Sequence, residues 1–152
     1  MAQGLNAFSQ DPEQGQVDLN IQTNTVACVV DSASATLIPG QAVKIVDTGG
    51  GSPIITAATV NSDDVFGFVN YSMKDQSFPA GARVEISYFR GNVMFMTASA
   101  AISRNAKVMI VVAGSKVVTR SASGISIGRA LDKALNNGDL IRVLIDVPGI
   151  AS

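Results

Sequence analysis

After residue 24 one short phrase of turn, apolar and polar positions opens a strand-like stretch four times. The phrase is a turn residue, two spacers, a β-branched residue, one spacer and a second β-branched residue. It occurs as Gly40-Gln-Ala-Val43-Lys-Ile45, Gly81-Ala-Arg-Val84-Glu-Ile86 and Gly138-Asp-Leu-Ile141-Arg-Val143, and with Asn for Gly as Asn105-Ala-Lys-Val108-Met-Ile110. A turn permits reversal and a period of two buries one face, so each copy predicts a strand of an all-β domain. Strands are expected near 42–47, 53–60, 64–71, 82–89, 91–98, 107–112, 116–120, 124–130 and 140–146, with turns wherever Gly, Pro, Asn and Asp cluster. Arg129 to Leu135 is the single stretch expected to form a turn or two of helix.

The phrase sits in a longer frame that repeats. Gly40 is followed by Val65-Phe-Gly67-Phe-Val69 and the Gly81 turn; Asn105 is followed by Ile125-Ser-Ile127-Gly128-Arg-Ala130 and the Gly138 turn. The frame predicts a small β-barrel or sandwich made of two pseudo-duplicated halves, closing on each other so that neither leaves exposed sheet edges.

Residues 1–24 differ from this body and form an extended N-terminal arm ahead of a single barrel domain, 25–152. The arm is rich in Gln and Asn, and the Asp11-Pro12 pair, Gly4 and Gly15 break any regular start. Within it Val17, Leu19 and Ile21 alternate with polar residues, which is the pattern of a strand seeking a sheet. Two readings compete. The arm is the first strand of its own barrel, pairing with Thr25 to Val30, or it leaves its domain and adds to a neighbour, with Leu5 and Phe8 as further anchors. Phe8 is the only aromatic residue before Phe66, which favours anchoring.

Composition narrows the function classes. A chain of 152 residues holds one core, and with 47% hydrophobic residues but only 5% aromatic, that core is built from Val, Ile, Leu and Ala. There is no His, which removes the usual general base, the commonest metal ligand and the middle member of most nucleophile triads. Cys28, the single cysteine, lies in an apolar run and reads as a small buried residue. A net charge of −1, with Lys and Arg scattered singly, argues against a nucleic-acid surface. The longest apolar run, Val108 to Ala113, is far short of a membrane span, and the N-terminus lacks the pattern of a secretory signal, so a soluble chain made in the cytoplasm is expected.

Three motifs invite chemistry and fail on their context. Gly124-Ile-Ser126-Ile-Gly128 matches a nucleophile elbow, but there is no His and no strand-to-helix turn; the stretch reads instead as a strand with Gly128 where the chain bends or another backbone comes close. The glycines at 49–51 lack the lysine and helix of a phosphate loop. Asp63 and Asp64 lack the spaced ligands of a calcium loop and read as turn residues. Phe66 and Phe68, and likewise Met94 and Met96, are expected to share a core-facing side of their strands. No catalytic, metal or cofactor site is expected.

The ordered line Leu37-Ile-Pro-Gly40-Gln-Ala-Val43-Lys-Ile45, Val65-Phe-Gly67-Phe-Val69, Gly81-Ala-Arg-Val84, Ala101-Ile-Ser-Arg-Asn-Ala-Lys-Val108, Ile127-Gly128-Arg-Ala130-Leu131 and Gly138-Asp-Leu-Ile141-Arg-Val143 resembles the structural cement, or capsid decoration, proteins of tailed bacteriophages. The resemblance implies a β-barrel of the β-tulip kind, commonly a homotrimer. Its place would be the outer surface of the virion head at local three-fold positions, holding neighbouring major capsid protein subunits together. Leu5, Phe8, Val17, Leu19 and Ile21 are then the candidate contacts to the capsid or to a neighbouring copy. The alternative is a small β-barrel module displayed on a virion to bind a ligand or adhere to a surface.

Overall fold

The computed structural model describes residues 14–15, 25–47, 51–60, 63–72, 74–88 and 91–146. The described residues contain ten strands and no helix: β1 (Thr25–Val30), β2 (Ala42–Asp47), β3 (Ile54–Ala57), β4 (Gly67–Val69), β5 (Arg83–Ser87), β6 (Val93–Thr97), β7 (Lys107–Val111), β8 (Lys116–Thr119), β9 (Gly128–Ala130) and β10 (Leu140–Ile145). The first five close into a barrel in the order β1-β3-β2-β4-β5, and the second five form a sheet in the order β6-β10-β9-β7-β8.

The two halves have one topology. In each, the strand after the first αL turn pairs with its hairpin partner on one side and with the glycine-bearing strand on the other. That glycine strand then pairs with the strand after the last turn. Antiparallel pairing of β1 with β5 is matched by β6 with β10. The hydrogen bonds repeat as well. Gly40 N–H donates to Val69 as Asn105 N–H does to Ala130, Phe66 to Val43 as Ile127 to Val108, Gly81 to Val30 as Gly138 to Ala98, and Asp31 to Ile55 as Ser99 to Val117. Gly40 and Asn105 occupy the same left-handed turn, at φ 83° and 70°, which Asn tolerates nearly as well as Gly.

The first half closes its own edges into a barrel, and the second is a five-stranded sheet, so the halves do not close on each other strand to strand. β1 reaches β3 through two parallel residue pairs, Val29 with Ile54 and Val30 with Ile55, while the corresponding seam of the second half is one parallel bridge between Ala98 and Val117. What joins the halves is a shared core. Cys28, Val30, Leu37, Val43, Ile55, Val69, Val84 and Ile86 fill the first barrel. Ala42, Ala58, Val65 and Phe68, which face away from that interior, are buried in one cluster with Met94, Met96, Val108, Ile110, Ile141 and Val143 of the second half. The predicted pairing of Met94 with Met96 on one face is therefore observed.

Two local expectations are corrected. Arg129 to Leu135 is not helical: Gly128–Ala130 is β9, and Ala134 exchanges hydrogen bonds with Ile102, as Phe78 does with Leu37 in the first half. Tertiary pairing overrides a weak helical preference here. Phe66 and Phe68 do not share a face. β4 begins at Gly67, so the period of two does not extend back to Phe66; Phe68 lies in the shared core, whereas Phe66 packs on the first barrel and stacks on Tyr88 with centroids 5.8 Å apart.

Gly67 and Gly128 are equivalent residues kept free of a side chain by a crossing backbone. A Cβ on Gly67 would lie 2.6 Å from the Ser87 carbonyl oxygen, and one on Gly128 would collide with that of Leu144. Gly67→Ala and Gly128→Ala are expected each to lower stability by about 2 kcal/mol or more, against about 1 kcal/mol for Gly81→Ala, which meets nothing but has a left-handed φ of 83°. Urea unfolding of the three variants checks this order.

Candidate functional site

The junction between the halves is built by the β7–β8 hairpin. Its turn places three consecutive residues at positive φ, Val112 at 53°, Ala113 at 54° and Gly114 at 82°. For a β-branched residue this conformation is a real outlier, with a strain of about 1–3 kcal/mol. Docking offsets the strain. Gly114 is buried against the first barrel, where its carbonyl accepts the Ala42 N–H at 2.9 Å, and the Ala113 carbonyl accepts the Gln41 Nε2–H at 2.9 Å. Gln41 also accepts the Ile38 N–H through Oε1, so its buried amide spans the junction with both ends bonded. A side chain on Gly114 would collide with the Ala58 carbonyl.

Gln14 and Gly15 complete the junction. The Gly15 N–H donates to Phe95 on β6 at 2.8 Å, its carbonyl accepts from Tyr71 just after β4 at 3.0 Å, and Gln14 Nε2 donates to the Pro39 carbonyl at 3.0 Å. Gly15 is thus bonded to both halves at once. It lies so close to the Pro39-Gly40 turn that a Cβ would sit 2.5 Å from the Gly40 nitrogen. The candidate contacts Leu5, Phe8, Val17, Leu19 and Ile21 lie outside the described residues. Sequence reasoning read Gly15 only as a breaker, and nothing in its neighbours marks it as the point where the arm meets the body.

Three carboxylates are occupied in holding the backbone and a neighbouring cation. Burial pushes the Asp63 carboxyl up, but hydrogen bonds from the Val60 N–H, the Lys44 ammonium and the Thr59 N–H outweigh it and hold the carboxyl below its usual value. Asp64 beside it is exposed, so the pair divides as turn residues do. The Arg142 guanidinium binds both Asp132 oxygens, at 3.0 and 2.8 Å, and holds that carboxyl down. The Leu135 and Asn136 N–H groups do the same for Asp139. Burial, with the Glu85 charge second, raises the Cys28 thiol to about 11, so it is protonated at neutral pH. Ser126 donates to the Gly128 carbonyl, which is a turn contact. Among the described residues no three His, Cys, Asp or Glu come together as metal ligands, and no helix is long and apolar enough to cross a membrane.

The chain matches the family model of phage cement proteins over residues 21–145. No curated protein matches it. Among solved structures it is similar to the head fiber gp8.5 N base of bacteriophage phi29, at 11% identity and a TM-score of 0.56, over 82% of this chain and 95% of that one. At that identity the likeness concerns the fold.

Gly15→Ala is expected to lower stability by about 1–3 kcal/mol, read as a drop in the melting midpoint, because the new methyl group meets backbone on one side and a left-handed φ on the other. Asp63, Asp132 and Asp139 have folded-state values below those of the unfolded chain, so they stabilise the fold at neutral pH and that stabilisation is lost as pH falls through the folded-state values. Unfolding midpoints should therefore decline below about pH 4, and Asp132→Asn should flatten that decline while lowering stability at pH 7 by about 1 kcal/mol. The two-half β architecture, the junction that joins it and the match over residues 21–145 make this chain a member of the phage cement proteins.

Proposed function

We propose that the protein decorates the outer surface of a phage head, sits at local three-fold positions as a homotrimer, and ties neighbouring major capsid protein subunits together without doing chemistry. Family membership carries this reading. The arm is its binding element. Leu5, Phe8, Val17, Leu19 and Ile21 reach the capsid or a neighbouring copy, with the alternating segment adding as a strand to an exposed edge.

The Gly15 contacts support this role physically. An arm bonded to both halves transfers any pull on its outer part to the body at the junction, not to a single strand. In a trimer the second and third arms would bind intramolecularly, so individually weak sites add up to stable attachment. A micromolar site corresponds to roughly 8 kcal/mol, and three coupled sites would hold for far longer than one.

Deleting residues 1–24 is expected to leave a folded body, lowered in melting midpoint by loss of the Gly15 and Gln14 bonds, that no longer sediments with heads. Decoration equal to that of the full chain would refute the role of the arm. Light scattering should give three times the chain mass of 15.7 kDa for the full protein, free or released from heads.

A further inference from the structure

We infer that the outer end of the second half, carrying Arg104, Lys107, Arg120 and Arg129, docks an acidic loop of the head's shell protein. This inference rests on the head-decoration reading and adds to it a second contact, distinct from the arm.

The duplication identifies the face. In the first half, Ala42 pairs with Phe68 and its carbonyl accepts the Ala58 N–H; in the second, Lys107 pairs with Arg129 and its carbonyl accepts the Arg120 N–H. Pro39 precedes the left-handed turn of one half and Arg104 that of the other. Ala42, Ala58 and Phe68 are at most 1% exposed because the second half covers them, with its hairpin turn presenting carbonyl oxygens to Gln41 and Ala42. The face that receives a loop in the first half is thus open in the second, and its apolar residues are replaced by exposed cations.

The charge is more than a solubilising cap. Lys107 and Arg129 are directly opposite across an antiparallel pair, an arrangement that destabilises a sheet. A cap of mixed sign would avoid that repulsion. Arg120 Nε donates to Gly124 and Arg129 Nη1 to Asn105, so both guanidiniums are oriented by backbone carbonyls, and among the described residues none of the four cations forms a salt bridge. Asp132 lies within electrostatic reach of Arg104 but is already bound by Arg142. The scattered charge expected from sequence is also segregated. Seven of the eleven Lys and Arg but only three of the twelve Asp and Glu fall in residues 92–152, which makes that half +4 and the rest −5.

The occupant follows from these facts. Equivalence to the inter-half contact calls for a loop that offers acceptors, and four cations call for carboxylates as those acceptors.

The test is co-sedimentation of the full-length protein with undecorated heads in rising NaCl. Wild-type decoration should weaken with salt, because exposed charge pairs are screened. Lys107→Glu should reduce it about tenfold at low salt and flatten the salt dependence. The same substitution should raise the melting midpoint of the free protein, since it turns a like-charge cross-strand pair into an attractive one. Arg104→Gln with Arg120→Gln, both outside strands, repeats the binding test if the strand variant fails to fold. Unchanged decoration by the folded variants, or wild-type decoration insensitive to salt, overturns the proposal while leaving the head-decoration reading intact. Failure of the wild-type protein to decorate heads overturns both. Loss of binding to duplex DNA or to a second copy, with head binding retained, assigns the face to another partner and overturns it as well.

Discussion

The seating of Gly114 between Ala42 and Ala58 is the contact on which the molecule depends. Each half on its own is a five-stranded unit that leaves part of its apolar surface uncovered. Ala42, Ala58, Val65 and Phe68 of the first half become interior only because the second half lies over them. The hairpin that achieves this needs a turn that Val112 and Ala113 adopt unwillingly, and two hydrogen bonds plus close backbone packing outweigh that reluctance. Gly15, bonded to Phe95 and Tyr71, reinforces the same joint from outside.

Much of this was legible in the residues. The αL turns at Gly40 and Asn105, the strands that follow them and the matched glycines at 67 and 128 are local features, and local features survive in sequence. The duplication was legible for the same reason. What was not legible depends on contacts between distant segments. Phe68 looks like any strand phenylalanine, and only the position of the second half makes it an interface residue. The stretch from Arg129 to Leu135 has helical composition but is claimed by pairing with Ile102 and Arg142. Gly15 carries no mark of its three-way contact. The cations look dispersed because residues 104, 107, 120 and 129 are brought together only by β7, β8 and β9.

Electrostatically the two halves have diverged within one backbone plan. Carboxylates such as Asp63 and Asp139 are spent on neighbouring backbone N–H groups, and Asp132 on Arg142, so they fasten turns. Net positive charge is confined to residues 92–152, at +4, while the rest of the chain carries −5. A duplicated fold thus supplies one face for building the molecule and its counterpart for meeting something else.

The strained turn at Val112 has a consequence for how the molecule opens. A left-handed valine is tolerable only while Gly114 is seated, so loosening the joint by part of its length gains nothing and releasing it fully relieves the strain. Partial states are disfavoured, and the two halves are expected to open as one cooperative unit. In hydrogen exchange, the Ala42 amide, which bonds across the joint, would exchange only with the opening of the whole body, as slowly as amides deep in either half.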